Sequence, residues 1–326
     1  VIRAPTCSPE DTSRDTFRAM RKRALGATGL EVSELGLGTW GLGGAYGMLA
    51  ESVAKSTVEA ALEAGVTTID CAPLWGKGLV ESWVGEAVEK KRDEVQLVTR
   101  GGAVWTEEGV HQRFDADALR ADCEGSLKRL RTDRIDVWLL HDPPEEMLYR
   151  DDTVPTAKAL KSEGKIRAWG VSTSDPTVAR IALSRGAEVL CLPYNLLWRT
   201  MLHDLETELS TAKVGVLARS PLLHGLLSGR WTEYRQFADD DHRRARWTNK
   251  ALTIRVREVN PLRFLVKDDV RSMTSASLRF VLANPAVSCA LLGARRPVQI
   301  TNANELAGTA PYLPPEDLAR VAELTK

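Results

Sequence analysis

The sequence has no surplus of either charge: 44 Lys and Arg stand against 44 Asp and Glu. Without a net field it carries no electrostatic footprint for nucleic acid or an acidic membrane surface. Cysteine is scarce and scattered. Cys7, Cys71, Cys123, Cys191 and Cys289 are odd in number and far apart, which argues against a disulfide framework and against Cys-x-x-Cys metal sites. The five histidines include no pair at metal-ligand spacing, so no metal is expected. No apolar run approaches the roughly 18 residues of a spanning helix, and the first residues lack the apolar centre of a signal peptide. A cytoplasmic protein acting on a small molecule is the expectation, with the oligomeric state open.

Tryptophan, by contrast, is plentiful, with nine in 326 residues. A 43% hydrophobic and 27% charged composition suits a globular domain. The stretch from Gly65 to Gly85, GVTTIDCAPLWGKGLVESWVG, organises the chain. A short β-branched run ends in Asp70, and after a turn a helix opens at Leu79, Val80 and Glu81. Two further runs end the same way, VQLVT in Arg100 and IDVWLL in His141. Strands that close on polar side chains before a helix predict a parallel barrel with its chemistry at one mouth. Eight such units follow one another, with strands expected at 34–38, 67–70, 95–99, 135–140, 168–171, 189–192, 214–218 and 288–292. The predicted fold is a single (β/α)₈ TIM barrel over residues 20–326. An N-terminal β-hairpin around Gly26 and Gly29 plugs its bottom, and two helices, 297–306 and 314–324, close the chain. Residues 1–19 read as a poorly packed extension, with Met20 a possible functional start. Residues 101–109 read as a loop, and the charged segment 231–263 as a solvated loop or a lid over a cofactor.

Taken together and in order, Asp70-x-Ala-x-x-Trp75-Gly76, Arg100, His141, GLGTWGLGG at 36–44, WGVSTS at 169–174, PYNLL at 193–197, SPLLHGLLSGR at 220–230 and LLGARRPVQ at 291–299 resemble the aldo-keto reductases. The resemblance implies hydride transfer between a nicotinamide dinucleotide and a carbonyl, with a tetrad of Asp, Tyr, Lys and His. Here those positions hold Asp70, Trp75, Arg100 and His141. An indole N–H donates a hydrogen bond but releases no proton near neutrality, and a guanidinium stays charged. The ion pair is kept and the phenolic acid is lost, at a typical cost of about 10² to 10⁴ in rate.

The resemblance also implies the cofactor site. Ser172 and Thr173, with Cys191, occupy positions that usually grip the carboxamide, and Thr173 and Cys191 offer no amide. Arg219, Ser220, Leu222 and Gly225 match the pyrophosphate loop. Gly293, Arg295 and Gln299 match the 2′-phosphate region. Asn302, beside Ala303 and Asn304, stands in the adenine-reading region. NADP(H) is the expected cofactor. Trp40, Tyr46 and Trp105 follow strand ends and are candidates for the substrate wall. Three readings follow: an NADP(H)-linked oxidoreductase in which His141 or Tyr46 supplies the proton; a non-redox dehydratase, lyase or isomerase that steadies an oxyanion with Trp75, Arg100 and His141; and a non-catalytic dinucleotide-binding protein. Beside these stand plain structural roles: an ion pair for Asp70 and Arg100, a satisfied core position for His141, and surface or loop positions for His111, His203, His224 and His242.

Overall fold

Eight short β-branched and leucine-rich runs alternate with helices, and in the computed structural model, which describes residues 20–325, they pair in parallel around a closed ring. The strands are β1 (Leu35–Gly38), β2 (Thr68–Asp70), β3 (Gln96–Gly101), β4 (Ile135–His141), β5 (Ile166–Ser172), β6 (Val189–Pro193), β7 (Gly215–Arg219) and β8 (Cys289–Gly293). Closure comes from the pairing of β8 with β1, Ala290 opposite Leu35 through Gly293 opposite Gly38. The expected extension before Met20 lies outside the described residues.

The helices between the strands follow from local signals. In α1 (Glu51–Glu63) the buried Ala54, Thr57, Val58 and Ala61 recur at helical spacing and face the barrel, and Gly65 takes a left-handed φ of 80° beyond its end. α2 (Leu79–Val88) buries Val80, Val84 and Val88. In α3 (Ala116–Arg129) the Asp115 carboxylate accepts from the Ala118 N–H at 3.0 Å, and Lys128 and Arg129 stand in the last turn, where cations suit the helix dipole.

Along each strand the side chains alternate between the helices and the barrel interior. Val98, Val137, Leu139, Ala168, Val189, Cys191, Leu217, Cys289 and Leu291 form one interior cluster together with Leu25, Leu30 and Val32 of the N-terminal hairpin. That hairpin pairs Lys22–Ala24 with Glu31–Ser33 and plugs the bottom as expected. Gly26 is required there. Its φ is 55°, and a Cβ would lie 2.4 Å from the Gly215 nitrogen and the Lys213 oxygen. Continuing the alternation upward places Asp70, Arg100, His141, Ser172 and Arg219 inward at the opposite end.

Three expectations are revised. The segment 101–109 opens a β-hairpin in which Ala103–Thr106 pairs with Gly109–Gln112. The chain can turn into it because Gly102 adopts a φ of 92°. The expected helix 297–306 is broken. The Gln299 side chain accepts from the backbone of Arg295 and Arg296, Ile300 leaves helical geometry at φ −123°, and a short helix restarts at Ala303–Ala307. The segment 231–263 is not simply solvated, since it contains an 11-residue helix (Asn249–Val259) with Leu252, Val256 and Val259 buried.

Candidate active site

Asp70 and His141 close the strands β2 and β4, Arg100 stands one residue before the end of β3 between them, and Trp75 sits five residues beyond Asp70 at the start of a 3₁₀ turn. The four converge at one mouth. Arg100 Nη1 donates to Asp70 Oδ1 at 2.5 Å and to the Cys71 carbonyl at 2.7 Å. Its Nη2 lies 3.6 Å from Cys191 Sγ, and the guanidinium carbon sits 4.9 Å from the centre of the Trp75 ring. With 2% exposure, Arg100 is walled in by these partners. Burial works against its charge, but the Asp70 carboxylate more than compensates and holds it protonated. Behind it, the fully buried Glu81 accepts from Thr99 at 2.5 Å and from Arg129 at 2.6 Å, which fixes β3 against α2 and α3. Arg100 therefore cannot reach a substrate directly; it sets the field in which the exposed groups act.

His141 is one of those exposed groups. Its side chain retains 16% exposure, Nε2 lies 4.0 Å from Asp142 Oδ2, and Nδ1 is buried with no partner among the described residues. Burial, then Arg100 and Arg219, push its pKa down to about 3. At neutral pH the ring is thus uncharged, able to donate one N–H hydrogen bond but holding no spare proton. A satisfied structural role does not describe it.

The cofactor candidates divide. In the loop after β7, Ser220, Leu223 and His224 adopt left-handed φ of 59°, 44° and 57°, and Gly225 follows at 96°. Non-glycine residues held there cost roughly 1–3 kcal/mol each, a strain typical of ligand-binding loops. The loop is anchored where Asn195 Nδ2 donates to the Ser220 carbonyl at 3.0 Å, and Leu222 lies between its strained positions. Gly293, at the end of β8, has nothing within 4 Å of where a Cβ would stand, so the mouth is open on that side. Such a cradle fits a dinucleotide's phosphates. The opposite end fits less well. Thr173 Oγ1 accepts from the Asp175 N–H at 3.0 Å, Cys191 faces Arg100, and Ser172 closes β5 in the buried inward row. Arg295 is held by the β1 loop, donating to the carbonyls of Gly41 at 3.3 Å and Gly47 at 2.8 Å. Gln299 is spent as a local cap, and Asn302 begins the short helix without a side-chain cap bond.

Of the wall candidates, Trp105 reaches across from the 103–112 hairpin, donating from Nε1 to the Leu74 carbonyl at 2.7 Å, so it does border the mouth beside Trp75. Trp40 and Tyr46 instead join a cluster that the sequence reading missed. The His242 ring lies tilted 4.6 Å from Trp40 and edge-on 4.8 Å from Tyr46, and His224 lies 5.5 Å from Trp40. The Tyr46 hydroxyl pairs with His224 Nδ1 at 3.3 Å, and burial pushes its pKa up to about 12, so the phenol stays protonated. His224 and His242 are therefore not loose surface residues. The 231–263 segment folds over the β1 loop beside them, with Arg243 4.6 Å from the Tyr46 ring centre and the backbone N–H of His242 donating to the Ala45 carbonyl at 3.0 Å. The segment is thus packed on the β1 loop and is not wholly in solvent. The aromatic spacing of Trp231, Phe237 and Trp247 was the available signal.

Among the described residues, no group of His, Cys, Asp and Glu could hold a metal, and no helix is long and apolar enough to cross a membrane. A sequence profile described as the aldo/keto reductase family matches residues 34–326. The chain is 33% identical over 298 residues to an aldo-keto reductase of Bacillus subtilis, covering 89% of each chain. It is also 33% identical over 227 residues to an NADH-specific methylglyoxal reductase of Escherichia coli, covering 64% of this chain and 70% of that one. Among solved structures, a glycerol dehydrogenase of Gluconobacter oxydans superposes with a TM-score of 0.82 at 28% identity, covering 93% of this chain and 94% of the other.

Proposed function

The chain belongs to the aldo-keto reductase family, whose members generally bind NAD(P)H and act on small molecules, and from that premise we propose that it interconverts a carbonyl and an alcohol with NADP(H), His141 serving where a phenolic acid would ordinarily stand. What supports this reading is the convergence of the Asp70–Arg100 pair, Trp75 and the partly exposed His141 at the open end of the barrel. The relatives named above are oxidoreductases, which does not favour the non-redox or non-catalytic readings.

When bound, the nicotinamide supplies the hydride. The loop of Arg219, Ser220, Leu222 and Gly225 would run along the pyrophosphate, and Gly293 leaves room beside it. Arg295 uses two of its five N–H donors on Gly41 and Gly47, so three remain for a 2′-phosphate, already oriented by the carbonyls. Neutral His141 donates an N–H to the carbonyl oxygen. Arg100, fixed by Asp70, places a positive charge behind it that favours the developing alkoxide without touching it. Trp75 covers Arg100 and keeps water from it. Because neither Trp75 nor Arg100 releases a proton, water supplies the one that completes the alcohol, and slow turnover is expected.

The test pairs nicotinamide fluorescence with turnover. Titration with NADPH should change its emission, and a generic aldehyde should be reduced slowly. Trp75→Tyr with Arg100→Lys should raise that rate by about 10² or more, since the phenol then has the titratable neighbour it needs. No fluorescence change and no NADPH oxidation in either protein would overturn the reading.

A further inference from the structure

The hairpin after β3 is fixed at its base and reaches out with both arms. At the base the Asp122 carboxylate of α3 accepts from the Gly102 N–H at 2.8 Å, and the Arg113 N–H donates to the Gly102 carbonyl at 2.8 Å. The arms meet the loops after β2 and β4, the strands that flank β3 in the ring. From one arm Trp105 Nε1 donates to the Leu74 carbonyl at 2.7 Å, immediately before Trp75. From the other, Gln112 Nε2 donates to the Asp142 carbonyl at 2.9 Å, immediately after His141. The Lys77 ammonium, 5.5 Å from the centre of the Trp105 ring, adds a second tie on the first side.

Both arms end on backbone that is held away from its preferred conformation. Beyond Leu74, Gly76 and Lys77 take left-handed φ of 59° and 54°. Asp142 takes 43° although Pro143 follows it, and the residue before a proline is drawn to extended backbone, with φ near about −120°. A non-glycine residue persists in such a conformation only where its surroundings over-determine it. For Asp142 they act from two sides, since its N–H donates to the Ser172 carbonyl at 2.8 Å and its carbonyl takes the Gln112 bond. Its carboxylate in turn lies 4.0 Å from His141 Nε2.

Resting on the oxidoreductase reading, we propose that the 103–112 hairpin is a strap that sets the spacing of Trp75 and His141, with Gln112 and Trp105 as positioning residues that act through Asp142 and Leu74. The amide of Gln112 neither takes up nor releases a proton near neutrality, so its part in the reaction is geometric. Without the strap the loops after β2 and β4 relax separately, and His141 loses its alignment with a carbonyl held beside Trp75.

Gln112→Met keeps the side-chain length and removes the donor. It should lower kcat for a generic aldehyde about tenfold and leave KM within about twofold, since misplacing a reacting group costs rate more than binding. Gln112→Lys returns an N–H donor at similar reach and should recover kcat to within about threefold of the unmodified protein. Trp105→Phe keeps a ring at the mouth, removes the bond to Leu74 and should also lower kcat about tenfold. The double variant, Gln112→Met with Trp105→Phe, is the decisive comparison. Two ends of one strap are not independent, so it should lose no more than about threefold beyond either single change, where independent effects would multiply to about a hundredfold. Independently of turnover, the ring ¹⁵N resonances of His141 in the unliganded protein, assigned by their loss in His141→Asn, should move in Gln112→Met. Those of His203, in the helix Thr200–Ala212, should stay in place. If no protein of the set reduces the aldehyde but the His141 resonances move, the redox reading falls and the strap stands. Unmoved His141 resonances, losses that multiply in the double variant, or losses confined to KM overturn the strap.

Discussion

The two ends of the barrel solve opposite problems. At the bottom, Leu25, Leu30 and Val32 of the hairpin fill the interior, and Ser33 is tied into a closed set of bonds, donating to the Leu35 carbonyl at 2.7 Å and accepting from the Thr67 and Thr68 N–H groups at 3.1 and 3.0 Å. At the mouth, buried Asp70 and Arg100 replace apolar side chains, His141 Nδ1 and Arg219 Nε lack partners among the described residues, and Lys77, Asp142, Ser220, Leu223 and His224 hold left-handed backbone. One end accumulates stability and the other expends it on groups that a ligand can satisfy.

The sharpest way to break this contrast is to unpair the mouth. Arg100→Met leaves the Asp70 carboxylate buried beside an apolar side chain, and equilibrium urea unfolding should show a loss of about 3–5 kcal/mol. At the floor, Leu25→Ala removes a fully buried side chain and should cost about 2–4 kcal/mol in the same assay, while kcat of the folded enzyme stays within about twofold. A floor variant that changes kcat more than stability would erase the distinction between the ends.

Acidity sharpens the contrast further. His141, His224 and His242 have folded pKa values depressed by burial to about 3, about 3 and about 4. Between those values and the ordinary 6.5 the unfolded chain takes up protons that the folded one does not, so stability falls as pH falls through this window. The penalty at pH 5 is up to about 2 kcal/mol for each of His141 and His224, and smaller for the more exposed His242, whose charge solvent screens. The midpoint of urea unfolding should therefore decline from pH 7 to pH 5, and His224→Phe should flatten the decline; an unchanged slope would show that His224 is charged in the fold. The smallest expected effect belongs to Arg295→Ala. It should weaken NADPH by about 1.5 kcal/mol, roughly tenfold, and NADH by less than threefold in fluorescence titrations. Equal losses would mean that Arg295 serves only to hold Gly41 and Gly47.

Much of this was legible in the residues because strand ends announce themselves. A β-branched run that stops at Asp70, at Arg100 or at His141 fixes both the strand and the direction of its last side chain. Other features depend on contacts that spacing does not encode. The 103–112 hairpin turns on Glu107 and Glu108, without the Asn-Gly or Asp-Gly pair that marks most two-residue turns. His224 and His242 meet Trp40 and Tyr46 across nearly 200 residues of sequence, a proximity that only barrel closure creates. Nor could the replacement at position 100 reveal that its guanidinium would be sealed beneath Trp75 rather than offered to a substrate.

The plugged floor has a kinetic consequence. A barrel closed at one end has a single portal, so whatever lies deeper has to arrive first and depart last. With the 231–263 segment packed on the β1 loop at the rim of that opening, two reactants should not exchange independently. Steady-state kinetics should therefore follow a compulsory order, with dead-end analogues of the second reactant inhibiting uncompetitively toward the first. Release of the deeper product, governed by how readily His242 and Arg243 part from Tyr46, would then set the pace of the cycle whenever the chemical step is fast enough to wait for it.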